Sequence, residues 1–168
     1  MYGGIFLYLD NRKQMNYTEE NRRKTAYFAR KRGNMIRVTV WNEYLHEKEE
    51  PVRHIYPNGI HGCIKEFLQT DEELVIKTAT FEMPEHGLTE EVLKQTDVLI
   101  FWSHMRQNEF SDEVAARVCS HVRQGMGLVA LHSAHFSKIM KGLLGTSMTL
   151  RWKHGESERV FCLSLIHI

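Results

Sequence analysis

The chain has 168 residues, 42% of them apolar, which is enough for one sizeable core and too few for two comfortable ones. Its 22 Lys and Arg balance 21 Asp and Glu, so no net field draws it to a phosphate backbone or an anionic membrane, and neither nucleic acid nor membrane is an expected partner. No apolar run reaches the roughly 20 residues of a membrane helix, and the early "GIFLYLD" is too short and too soon acidic for a secretory signal, so a soluble, cytoplasmic protein is expected.

Residues 1–34 differ in character from the rest of the chain. The stretch "NRKQMNYTEENRRKTAYFARKRGN" is rich in charge, has no sustained period and ends in Gly33-Asn34. It reads as an N-terminal extension, disordered or not native, in front of the natural start of a domain over 35–161. From Met35 on, strand and helix signals alternate. "MIRVTVW" (35–41) is a β-branched, apolar strand; Pro57 then suits a helix start, with Ile60, Ile64, Phe67 and Leu68 at helical spacing. "ELVIKTATF" (73–81) reads as a second strand, and Thr89 is placed to cap a short helix in "EEVLKQ". "DVLIFW" (97–102) is a continuous apolar run of buried-strand type. Ser111 can cap the next helix, with Asp112 and Glu113 in its positive first turn, Val114, Val118 and Val122 on one face and Gly125 past its end. "GLVAL" (127–131) is the fourth strand, and "HFSKIMKGLLG" begins a further helical segment. Strands that alternate with helices and lack polar alternation predict a doubly wound, flavodoxin-like α/β domain: a parallel sheet with helices on both faces.

In such a sheet the carboxyl ends of the strands meet along one edge, and ligands bind in the crevice there. The first strand runs into Trp41-Asn42-Glu43, the third into Trp102-Ser103-His104 and the fourth into Leu131-His132-Ser133-Ala134-His135. This gathers proton-transfer groups, with His132, His104 and Glu43 as catalytic candidates, and hydroxyl-binding partners, with Trp41, Asn42, Trp102, Ser103, Ser133 and His135 as substrate-binding candidates. The loops add Tyr44, His46, His54 and His61. Each has a plain alternative: the tryptophans as packing, His61 as a hydrogen-bonded structural histidine, and Glu43, Glu47, Glu49 and Glu50 with Lys48 as a solvated loop. Zinc is a further expectation, since His46, His104, His132 and His135 with Glu43 offer the imidazole and carboxylate set it takes, although no pair has H-E-x-x-H spacing. Cys63, Cys119 and Cys162 are odd in number and lack C-x-x-C spacing, which suits reduced thiols.

A sharp strand-to-helix turn needs small residues two positions either side of its tip. Around Ser133 those flanks are Leu131 and His135; around His132 they are Ala130 and Ala134. Sterics therefore put His132 at the tip, and a serine-hydrolase elbow, or residual amidase chemistry by Ser133, is disfavoured.

"MIRVTVWNEYLHE", "GIHGCIKEFL", "DVLIFWSHMRQNEFSDEVAARV", "GLVALHSAHFSK" and "LRWKHGESERV" together resemble the ThuA-like family of trehalose utilisation proteins over about residues 35–161. The resemblance implies a class I glutamine amidotransferase-like fold, in which a cysteine normally occupies the elbow; here the tip is His132, so thiolate glutaminase chemistry is absent. It further implies carbohydrate metabolism, a small-molecule sugar in the crevice, trehalose-derived or related, and a sugar oxidoreductase of the same pathway as a partner. A sugar-processing enzyme using histidine acid–base chemistry is the leading expectation. The alternative is a non-enzymatic sugar-binding or regulatory module that has lost the amidotransferase nucleophile. The closing "CLSLIHI" (162–168) does not resemble the family's continuation, so a C-terminally truncated domain is expected, with exposed sheet edges that favour a homo-oligomer.

Overall fold

The computed structural model describes residues 35–149. The extension expected at 1–34, the tail expected at 162–168, and Cys162 lie outside the described residues. Within 35–149 four strands, β1 (Ile36–Asn42), β2 (Leu74–Thr80), β3 (Val98–Trp102) and β4 (Gly127–Leu131), form one sheet in the order β2-β1-β3-β4, and each of their pairings is parallel. The chain steps to one side of β1 for β2 and to the other for β3. That makes the β1/β3 boundary a topological switch point, as in flavodoxin-like domains.

Among the described residues five helices accompany the sheet: α1 (Val52–Ile55), α2 (Gly59–Leu68), α3 (Glu90–Lys94), α4 (Asp112–Arg123) and α5 (Lys138–Leu144). Their starts follow local chemistry. Thr89 and Ser111 accept the backbone N–H of Val92 and Val114, each at 3.4 Å, and so cap α3 and α4. Ser137 accepts the N–H of Met140 at 3.3 Å, so α5 opens at Lys138, not at His135. The residues before it, His132–Phe136, form a tight 3-10 turn instead. Gly145, at φ 66°, closes α5 in the left-handed region. The single-turn segments His46–Lys48, α1 and Pro84–Gly87 were not predicted, because one turn leaves no period in the sequence. No helix among the described residues is long and apolar enough to cross a membrane.

One face of the sheet carries the main core. Trp41, Ala79, Leu99, Phe101 and Ala130 pack there against Val114 and Val118 of α4 and Ile139 and Met140 of α5. Trp41 is its centre: it stacks on Phe101 at 4.3 Å between ring centroids, meets the edge of Phe110 at 5.4 Å, and donates from Nε1 to the carbonyl of His86 at 2.8 Å. On the opposite face α2 lies over β1 and β2, with Ile60, Ile64 and Leu68 partly buried. Phe67, expected on the same stripe, is 75% exposed. Because α2 packs mainly on β1 and β2, the β1 residues Val38 and Val40 are buried while Val98, Ile100, Val129 and Leu131 are only half-buried among the described residues.

Candidate functional site

Strand parity decides which side chains reach the switch point. In the register of β1 and β3, Trp41 faces Phe101 across the strands and Asn42 faces Trp102. Trp41 and Trp102 therefore sit on opposite faces. Trp41, a substrate-binding candidate from sequence, lies in the core at 1% exposure, on the face of the sheet opposite Trp102. Trp102 is at that edge and half-buried.

Around Trp102 the loops bring three imidazoles together. His132 stacks on its indole, 5.4 Å between centroids and 7° between planes, and His46 meets it edge-on at 5.9 Å. His104 contacts the His132 ring at 4.6 Å, and its Nδ1 lies 2.8 Å from His46 Nε2. Two ring nitrogens at that distance share one proton, so at least one of the pair is neutral. His132 occupies the tip of the turn after β4 with φ 56°, a left-handed conformation rare for a side chain of this size. Ala134, buried completely, and Ala130, 7% exposed, are its close flanks. His135 turns its Nδ1 back to the carbonyl of His132 at 3.2 Å. Gln107, which was not predicted, anchors the turn by donating from Nε2 to the carbonyl of Ser133 at 2.7 Å. Its one sequence signal is its position in the loop after a strand that ends at the crevice.

Glu43 and Glu47 are not solvated loop residues: they are 1% and 3% exposed. The Glu43 carboxylate accepts from Ser103 Oγ at 3.1 Å and from the successive backbone N–H groups of His104, Met105 and Arg106 at 3.0, 2.9 and 2.9 Å. Such consecutive donors form a concave anion cradle, here filled by the protein's own carboxylate. Ser103 is buried in the same arrangement, and the loop that carries His104 is fixed by it. Asn42, fully buried, donates to Glu47 Oε1 and to His61 Nδ1. Glu47 Oε1 also accepts the N–H of Ile60 in the first turn of α2, whereas its Oε2 has no hydrogen-bond partner among the described residues. Of the sequence candidates, His46, His104, His132, His135 and Trp102 thus converge, while Glu43, Asn42, Ser103 and Ser133 lie buried behind them.

Among the described residues no three His, Cys, Asp or Glu side chains are grouped so as to hold a metal ion. Three of the four zinc candidates use ring nitrogens on one another or on the backbone: His46 with His104, and His135 with the His132 carbonyl.

Burial holds His104 below its ordinary value of 6.5, and the neighbouring His46 adds to this against the opposing pull of Glu43. Burial is also the leading cause of the lowering at His132, followed by His104, His46 and His135. His61 is lowered by burial against the attraction of Glu47. All three rings take up a proton more readily in the unfolded chain than in the folded one, so their contribution to stability is complete above the unfolded value and is lost as pH falls through the lowered folded values. Thermal melts are accordingly expected to show Tm falling below about pH 6.5, with a shallower slope in His104→Gln. A Tm that holds steady down to about pH 5 would contradict the lowered values.

A parallel β2-β1-β3-β4 sheet, helices on both faces and a side-chain cluster at the switch point define a doubly wound, flavodoxin-like α/β domain of the glutamine amidotransferase-like kind. The chain belongs to the ThuA family, described as trehalose utilisation, whose model matches residues 37–162. No curated protein matches it.

Proposed function

We propose that this chain acts on a trehalose-derived or related sugar at the carboxyl edge of the sheet, with His132 and His104 moving the proton. The observation that carries the reading is the contact of three imidazoles over Trp102 at the switch point. Burial and neighbouring imidazoles, His46 for His104 and His104 first for His132, shift both rings toward the unprotonated form, the form a general base needs. A neutral ring in this position can take the proton from a carbon beside a sugar carbonyl, leaving an enediolate, and return it to the neighbouring carbon or oxygen. The indole and imidazole faces suit the apolar face of a sugar ring. The family's description as trehalose utilisation supports the sugar class. A sugar oxidoreductase that makes the carbonyl is the matching partner, and a cytoplasmic setting fits the free thiols of Cys63 and Cys119.

The test is turnover of trehalose and its keto derivative, followed by NMR of the products. His132→Ala and His104→Ala are each expected to lower the rate by roughly 10²- to 10⁴-fold while the far-UV spectrum and melting stay close to the parent's. Unchanged turnover in both variants would overturn the proposal. A second reading, a sugar-binding or regulatory module without turnover, draws on the histidine at the elbow tip, where a nucleophile would otherwise stand. It is favoured if a sugar binds saturably and no product forms.

A further inference from the structure

Asn42 fixes the state of His61. Its Oδ1 accepts the backbone N–H of Tyr44 at 3.0 Å, and that group can only donate, so the other branch of the amide is the NH2. The two amide hydrogens go to Glu47 Oε1 and, at 3.1 Å, to His61 Nδ1. His61 Nδ1 is therefore an acceptor, and the ring carries its proton on Nε2. Donation into Nδ1 polarises the ring and strengthens Nε2–H as a donor. The ring is also held in place sterically. Tyr44 packs against it edge-on at 5.0 Å, and at Gly59, φ 75°, an added Cβ would lie 2.5 Å from His61 Cε1.

The Nε2–H has no partner among the described residues, and His61 lines an open groove of about 330 Å3 between α2 and β2 together with Asn58, Lys65, Glu66, Gln69 and Thr78. The groove's charges offset one another: Lys65 is cationic, Glu66 is anionic, and Asn58 Nδ2 donates to Glu66 Oε1 at 3.0 Å. Gln69 and Thr78 each both donate and accept. A phosphate would meet the Glu66 carboxylate, whereas hydroxyl groups, which also donate and accept, match every lining group.

We propose that this groove is a second ligand site, built for an uncharged polyhydroxy ligand such as one sugar ring, with His61 Nε2–H as its fixed donor. The ligand class follows from the lining; only the choice of probes rests on the proposed sugar chemistry at the rim.

The test uses the full chain labelled with 15N. The ring-nitrogen spectrum of His61 is expected to show the proton on Nε2, and titration with trehalose and glucose is expected to shift the amides of His61, Lys65, Gln69 and Thr78. His61→Ala, and Gln69→Ala as an exposed second variant that leaves the fold alone, are expected to weaken the groove's affinity roughly three- to tenfold. A His61 proton on Nδ1, or groove shifts produced by inorganic phosphate and not by sugar, would overturn the proposal. Sugar shifts confined to Trp102, His104 and His132 would overturn the groove and leave the rim site standing; shifts confined to the groove would do the reverse. No shift by either sugar at either place would overturn both.

Discussion

Glu43→Ala is expected to cost about 3 kcal/mol or more of folding free energy, because each hydrogen bond to a charged group contributes about 1.5–3 kcal/mol and the carboxylate accepts several. The loss is not confined to one contact. The N–H groups of His104, Met105 and Arg106 all point at one site, so removing the anion leaves aligned donors facing one another in a buried place. Glu43→Gln is the sharper variant. It keeps the volume but replaces one acceptor oxygen with an NH2 group, which meets donors and pairs with none of them. Both variants are expected to lower the urea midpoint and to abolish hydrogen-exchange protection of those amides. His104 then loses its fixed approach to His46 and His132, so ligand response at the rim falls as well. An unchanged midpoint with retained protection would show that the cradle does not hold the loop.

The roles of Glu43 and Glu47 were out of reach of the sequence for a definable reason. Four glutamates and a lysine within eight residues look like a solvated loop, and the donors that bury two of them come mostly from elsewhere: Ser103 to Arg106 for Glu43, and Ile60, together with the nearby Asn42, for Glu47. Long-range hydrogen bonding of this kind has no local pattern. The strands were legible because continuous apolar runs leave few alternatives in an α/β chain, and β1, β2, β3 and β4 fall within a residue of their predicted bounds. The turn was legible for a steric reason. Small flanks at Ala130 and Ala134 pointed to His132 as the tip, and His132 is the residue with φ 56°. The two strand-end tryptophans were not separable, since each is an indole followed by a polar residue. Only the register shows that consecutive positions of paired strands place them on opposite faces.

Trp41→Ala and Trp102→Ala are therefore expected to fail in different ways. Trp41 is 1% exposed and packed by Phe81, Phe101 and Phe110, so truncation to alanine is expected to cost about 3–5 kcal/mol, with the lost Nε1 hydrogen bond included in that range. Against a total stability of about 5–15 kcal/mol, that loss removes from roughly a fifth to nearly all of the margin. Trp41→Phe retains most of the aromatic contact and is expected to restore folding. Trp102 is half-buried, and its removal is expected to cost only about 1–2 kcal/mol of apolar burial. What it loses is the shared wall for His46, His104 and His132, so sugar-induced stabilisation at the rim is expected to disappear from a chain that still melts cooperatively. Urea midpoints and sugar-dependent thermal shifts of the two variants separate the effects. If Trp102→Ala destabilised the fold as much as Trp41→Ala and left ligand response intact, Trp102 would be a packing residue and the imidazole cluster would have lost its proposed floor. The reverse pattern, a folded chain that no longer responds to sugar, ties the indole to the ligand by a route that core packing does not supply.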